Sequence, residues 1–166
     1  TVVSINGYLG IESGLGRRDG FVNYMNEHYP EITVFEIDTK FSQEEALNGI
    51  DDAFAALDQI DGVFCAWDGA TVVVQNNLEE RGLTGTTLLC GFDGAVDALM
   101  LMQEGKVDAD VAQPLYAMGY EGFRTAFSLA KGETIDNQNI ALATKLVVMD
   151  ELDAWIEEGH LQSYFE

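Results

Sequence analysis

Asp93 closes the stretch Leu88-Leu89-Cys90-Gly91-Phe92-Asp93-Gly94. An apolar run that ends in a carboxylate followed by glycine reads as a buried strand carrying an acid to its carboxyl edge, the edge at which open α/β sheets bind small ligands. Residues of complementary chemistry end or follow other strand-like runs: Trp67-Asp68 after Gly62–Ala66, Gln113 after Ala109–Ala112, and Arg17, Arg18 and Phe41 in the connections after two earlier runs. Asp, Arg and Gln together supply the donor and acceptor that each hydroxyl of a sugar requires, while Phe and Trp offer faces for its C–H surface. Catalytic signatures are missing from this inventory. There is no Walker-type loop and no G-x-S-x-G, Gly14-Leu15-Gly16 lacks the third glycine of a dinucleotide fingerprint, and His28 and His160 fall at expected helix ends away from these residues.

Such residues meet only if the right elements carry them. Short β-rich runs at Val2–Ile5, Ile32–Ile37, Gly62–Trp67, Thr86–Phe92 and Ala109–Gln113 alternate with helical patterns at the spacing of βαβ units. Ser42 with Glu45 forms a capping box, and Leu47, Ile50, Phe54 and Leu57 recur at helical spacing until Asp61-Gly62. Asp68 caps a second helix with Val72, Val73 and Leu78, and Asp93 or a neighbour begins a third with Val96, Leu99 and Met100, ended by Gly105. Pro114 opens a fourth, whose stripe Tyr116, Tyr120, Phe123 and Phe127 reads as core and which stops at Gly132. A strand near Ile140–Val148 and a helix from Asp150 with Leu152, Trp155 and Ile156 follow.

This alternation calls for a mostly parallel sheet with helices on both faces, since each right-handed crossover returns to the same sheet. The connections Tyr8–Arg18, Asp38–Phe41, Trp67-Asp68, Asp93-Gly94 and Gln113-Pro114 then share one rim.

Composition bounds the partners. A chain of 166 residues, 47% hydrophobic with two prolines, suits a single unit with a real core. The formal charge of −21, from 29 acids against 8 bases, repels phosphate backbones and anionic lipid, which argues against nucleic acid and membrane partners. A solvating acidic surface accounts for that imbalance without a bound metal. Cys65 and Cys90 sit inside apolar runs rather than at metal-ligand spacing, so they read as buried thiols; a disulfide is conceivable if the two runs are neighbours. No cofactor and no metal is expected.

The order of motifs resembles the carboxyl-terminal half of type I periplasmic binding proteins, closest to the ribose- and galactose-binding type that feeds ABC sugar importers. The resemblance rests on Gly16-Arg17-Arg18-Asp19-Gly20-Phe21, Phe41 before a capped helix, Val63-Phe64-Cys65-Ala66-Trp67-Asp68, Gly91-Phe92-Asp93-Gly94 and Val111-Ala112-Gln113, and covers nearly the whole chain. It implies one flavodoxin-like lobe, three-layered and doubly wound, that closes on a sugar or polyol about a hinge and then meets an ABC permease. It also implies a periplasmic or extracellular setting, a ligand set of Arg17 or Arg18, Phe41, Trp67, Asp93 and Gln113, and a hinge and crossover segment at 113–138 that packs on a preceding lobe. Where the family often has Asn-Asp, this chain has Trp67-Asp68, which can stack but cannot supply a carboxamide pair. Lacking a preceding lobe, the chain reads as an excised lobe, with the aromatic stripe of the 114–131 helix covered by its own sheet or by a second copy.

Structural roles compete at each position. In this ordered context Asp93 is read as a ligand contact rather than only a cap, and Asp68 as a cap. One arginine pointing at the rim weighs evenly against both being solvated at a helix start. Phe41 is either a stacking ring or the apolar residue of a staple before Ser42. Gln113, held extended by Pro114, suits a hinge strand or a plain linker. Trp67 is half exposed at a strand exit or fills the core. The same fold also serves the effector domain of LacI-type regulators, and, in a different class, flavodoxin-like enzymes and switches; the lysines Lys40 and Lys106 do not stand at the strand exits a receiver needs.

Overall fold

The computed structural model describes residues 1–135 and 139–165. The β-rich runs become strands β1 (Val2–Asn6), β2 (Val34–Asp38), β3 (Gly62–Cys65), β4 (Leu88–Asp93) and β5 (Ala109–Ala112), joined by a later β6 (Lys145–Val148). Between and after them lie α1 (Glu12–His28), α2 (Gln43–Ala56), α3 (Asp68–Glu80), α4 (Val96–Gln103), α5 (Leu115–Ala130) and α6 (Met149–Glu158), with a short 3-10 turn at Gln162–Tyr164. The sheet runs β2-β1-β3-β4-β5-β6; β1 to β5 are parallel, and β6 joins antiparallel, with Val147 opposite Asp110. This is the doubly wound, flavodoxin-like α/β fold. Because the order reverses between β1 and β3, the connections after those two strands diverge and leave a crevice at the carboxyl edge.

One sheet face carries Val3, Ile5, Val63 and Leu89, and its core is completed by Ala46 and Ile50 of α2, Val74 and Leu78 of α3, Leu99 and Met102 of α4, and Leu152, Trp155 and Ile156 of α6. Those four helices lie side by side in the order α2, α3, α4, α6. On the opposite face α1 covers β1 and β3, with Phe21 stacked on Phe64 at 4.6 Å between centroids. Ser42 caps α2 as its sequence requires, its hydroxyl accepting from the Glu45 amide at 3.2 Å. Leu47 faces outward at 40% exposure, so Ala46 and Ala53 take the core positions beside Ile50.

Several expectations change. The connection after β1 is shorter than Tyr8–Arg18, because α1 starts at Glu12 and carries both arginines in its second turn. Asp93 ends β4 instead of starting a helix, and α4 begins at Val96. Cys65 and Cys90 are free thiols. Cys90 stands in register with Phe64, one position before Cys65, so the pleat sends the two sulfurs to opposite faces.

The largest correction concerns α5. None of its residues is buried, and Phe123 is 75% exposed, so the stripe Tyr116, Tyr120, Phe123 and Phe127 is not core. The helix leaves the sheet at Pro114 and stands off from the returning chain across an open groove of about 790 Å³, lined by Met118, Leu129, Ile140 and Leu142 among others. Residues 136–138 of the expected crossover lie outside the described residues.

Candidate functional site

Parallel strands bring Asn6, Asp38, Ala66-Trp67, Asp93 and Gln113 to one edge, because each crossover restarts its strand at the opposite edge. Across the crevice at that edge Arg17 reaches from α1. Its Nη1 donates to the Ala66 carbonyl at 2.7 Å, its Nη2 lies 3.0 Å from Asp93 Oδ1, and its guanidinium sits over the Phe92 ring at 4.0 Å from the centroid. Gln113 Nε2 donates to the same Asp93 Oδ1 at 2.7 Å. Both donors land on one oxygen; among the described residues no donor reaches Oδ2, and the Asp93 side chain keeps 28% of its surface open. Arg17, Asp93 and Gln113 thus form one polar cluster with acceptor capacity to spare.

Arg18 goes elsewhere. The next residue on a helix points about 100° away, so Arg18 turns to β2, where Nε and Nη2 donate to Glu36 at 2.6 and 2.7 Å. That fork holds the Glu36 carboxyl below its usual range, and a further donation from Asn6 Nδ2 at 3.1 Å acts in the same direction. Of the two arginines, Arg17 is the one that reaches the rim.

Phe41 and Trp67 form an apolar wall beside the polar cluster, ring edge to ring face at 5.3 Å and 80°. Lys40 and Phe41 both hold positive φ, 52° and 62°, which folds the Phe41 ring back over Gly7; a side-chain carbon at Gly7 would collide with it. Left-handed backbone at two non-glycine residues costs about 1–2 kcal/mol each, the kind of strain that gathers at functional sites. Trp67 retains only 8% exposure, deeper than the half-exposed strand exit expected of it. Arg17 joins the two walls, since the carbonyl it binds precedes Trp67 directly.

Asp68 does not cap α3. It is the first residue of that helix, and its Oδ2 accepts the Ala95 amide at 2.6 Å, ahead of α4. Its Oδ1 accepts from the Thr71 hydroxyl at 3.3 Å. Asp110, fully buried on β5, accepts the Gly94 amide at 2.9 Å. The two carboxyls meet above Gly91: a side-chain carbon there would stand 2.6 Å from Asp68 Oδ1 and would overlap Asp110 Oδ2. Burial, and then the Asp68 charge, push the Asp110 carboxyl up to about 9; burial likewise raises Asp68. Sequence reasoning missed Asp110 altogether. The signal was Gly91, since glycine inside a strand marks close approach by another group.

A periplasmic binding protein domain model matches residues 1–134. Among curated proteins, the ribose import binding protein RbsB of Escherichia coli is 25% identical over 134 residues, 81% of this chain and 45% of the relative. The D-allose-binding periplasmic protein of the same organism is 25% identical over 146 residues, 88% of this chain and 47% of the relative. The chain spans about half the length of the curated relatives it matches. Among solved structures, an ABC transporter solute binding protein from Actinobacillus succinogenes with bound D-allose superposes with a TM-score of 0.85 at 23% identity, covering 92% of this chain and 54% of that one. A carbohydrate transporter solute binding protein from Agrobacterium radiobacter, in complex with D-arabinose, gives 0.79 at 26%, covering 99% and 55%. With four-fifths of its length inside the matched domain and its sheet superposing on those neighbours, the chain belongs to the periplasmic binding protein domain family.

Proposed function

We propose that this chain is a sugar-binding lobe of the solute receptor of an ABC-type importer, with Arg17, Asp93 and Gln113 reading ligand hydroxyls and Phe41 and Trp67 lining the C–H side. The observation that carries this reading is the convergence of Arg17 and Gln113 on a single oxygen of Asp93 at the carboxyl edge, beside an aromatic wall. A carboxylate oriented by two donors presents its remaining lone pairs to a hydroxyl, and the guanidinium and carboxamide each keep donor or acceptor capacity for its neighbours. Transport is non-enzymatic in this reading, and no step needs a cofactor. One relative is named for ribose import and another as a D-allose-binding periplasmic protein, which supports a periplasmic or extracellular setting here.

In this reading, ligand capture belongs to the complete receptor. One rim supplies part of the contacts, and a facing lobe supplies the rest. Sugar bridging both then selects the closed arrangement, which the permease recognises. Residues from 113 onward serve as the hinge crossing, and the apolar face of α5 is the surface that the preceding lobe covers. In the 166-residue chain alone, a second copy takes that place.

NMR titration of the isolated chain with D-ribose, D-allose, myo-inositol and D-arabinose tests the site. Weak, millimolar shifts confined to the Trp67 indole, the Arg17 Nε and the Gln113 side chain are expected, because half of a cleft binds poorly. No shift with any of the four overturns the reading, and so does submicromolar affinity of the isolated lobe.

A further inference from the structure

Behind the rim lies a cluster that the sugar reading does not use. Asp68 and Asp110 approach each other above Gly91 from the start of α3 and the middle of β5, and each holds one backbone amide of the turn that follows Asp93. That turn is strained: Asp93 has φ 131° and Gly94 φ 74°, and a side-chain carbon at Gly94 would lie 2.6 Å from the Ala112 Cβ. Asp93 closes the β4–β5 ladder, and its carbonyl accepts the Gln113 amide at 3.0 Å. Leu99 N donates to Ala95 O at 3.0 Å, and the Gly94 and Ala95 amides themselves are held by the two carboxyls.

Asp68 Oδ2 takes the Ala95 amide, Asp68 Oδ1 the Thr71 hydroxyl, and Asp110 Oδ1 the Gly94 amide. Among the described residues no donor reaches the fully buried Asp110 Oδ2, and the nearby Asp68 is another acceptor. Two ionised carboxylates so placed repel in a dry site, whereas one proton on Asp110 Oδ2, donated to Asp68, satisfies every oxygen.

We propose that Asp68 and Asp110 share one proton and act as positioning residues, clamping the Asp93-Gly94-Ala95 turn so that the Asp93 carboxylate is held toward Arg17 and Gln113. The ligand role of Asp93 in this proposal rests on the sugar reading; the clamp itself does not. Losing the shared proton sets two charges against each other beneath the turn, and the strained backbone gives way first. The titratable groups around the pair are Asp93 at the end of β4, itself paired to Arg17 of α1, the Cys65 thiol on β3 and, from the other face of the sheet, the Cys90 thiol on β4; β6 presents Val147. Asp108, before β5, faces Cys90. Burial holds both thiols protonated well past the range in which the pair titrates, Cys90 up to about 12, so neither confuses the readout.

The test is a pH titration of the isolated chain by carboxyl-carbon and amide NMR, without ligand. The expected result is that one of the two carboxyls stays protonated until near 9, and that the Gly94 and Ala95 amides and the Gln113 side chain shift with that same midpoint. Asp110→Asn, whose amide keeps both the acceptor for Gly94 and a donor toward Asp68, should keep the low-pH shifts at every pH, while Asp110→Ala should displace them throughout. Independent ionisation of both carboxyls below about pH 5, or Gly94 and Ala95 amides that ignore the titration, overturns the clamp. D-allose titrations of the same three proteins separate the two ideas: shifts absent in all three, with the pH midpoint present, sink the sugar reading and leave the clamp standing.

Discussion

Arg17 and Asp93 are bound across the crevice between the first helix and the fourth strand, Nη2 to Oδ1 at 3.0 Å, although they lie 76 positions apart in sequence. The pair is half sheltered, and the same guanidinium also holds the Ala66 carbonyl and covers Phe92. It therefore fastens α1, the exit of β3 and the exit of β4 to one another, and the rim keeps its shape only while it is intact.

Arg17→Lys should reproduce the charge but not the fork, because one ammonium cannot reach Ala66 O and Asp93 Oδ1 together while stacking on Phe92. The expected cost is about 1–2 kcal/mol in urea unfolding, with loss of sugar-induced shifts at the Trp67 indole and the Gln113 side chain. The same change at Arg18, which binds Glu36 away from the rim, should leave those shifts in place.

Gly91→Ala drives a methyl group into the Asp68 and Asp110 carboxyls, at 2.6 Å from one and in overlap with the other. A destabilisation of about 1–3 kcal/mol by chemical denaturation is expected, as for overpacking of a filled core. Gly20, exposed within α1 with open space around it, gives the opposite sign: Gly20→Ala should stabilise by about 0.5–1 kcal/mol.

Stability should fall as pH rises from about 4 to about 9. Asp110 is raised from the ordinary 3.8 to about 9 in the folded protein, so over that window the folded chain keeps a proton that the unfolded chain releases. Its contribution is fully present below the unfolded value and is lost toward the folded one, at no more than about 1.4 kcal/mol per pH unit for one proton. Asp110→Asn should flatten that slope in urea midpoints compared at acid, neutral and alkaline pH. Glu36, held low by Arg18, works in the other sense: its contribution is present at neutral pH and disappears on acidification.

Self-association should run through α5. Sedimentation of the isolated chain should show a concentration-dependent dimer, and Phe123→Glu with Phe127→Glu should return it to monomer without lowering its unfolding midpoint, since neither ring is buried. A monodisperse monomer at every concentration excludes that interface.

Element type was readable wherever a short-range pattern is its own cause. Ser42 with Glu45 caps α2, and Leu152, Trp155 and Ile156 face the core from α6, as their spacing requires. The helical stripe of α5 was just as legible as a pattern, yet periodicity says only that one face is apolar and not what covers it. Asp68 shows the same gap at the scale of one side chain: a carboxylate at a helix start reads as that helix's cap, and it serves the start of the next helix instead.

From the sequence by itself came the alternation of strands and helices, the parallel sheet and the set of residues at its carboxyl edge, because these depend on period, handedness and turn chemistry within some thirty residues. Tertiary structure alone decided that Arg17 rather than Arg18 meets Asp93, that Phe41 and Trp67 pack edge to face, and that Asp68 and Asp110 share the space above Gly91. Each of those outcomes turns on where a side chain points once distant strands lie in register. One helical position rotates an arginine by about 100°, and one strand position moves a side chain to the other face, so what each of these residues does was settled only when the sheet closed around it.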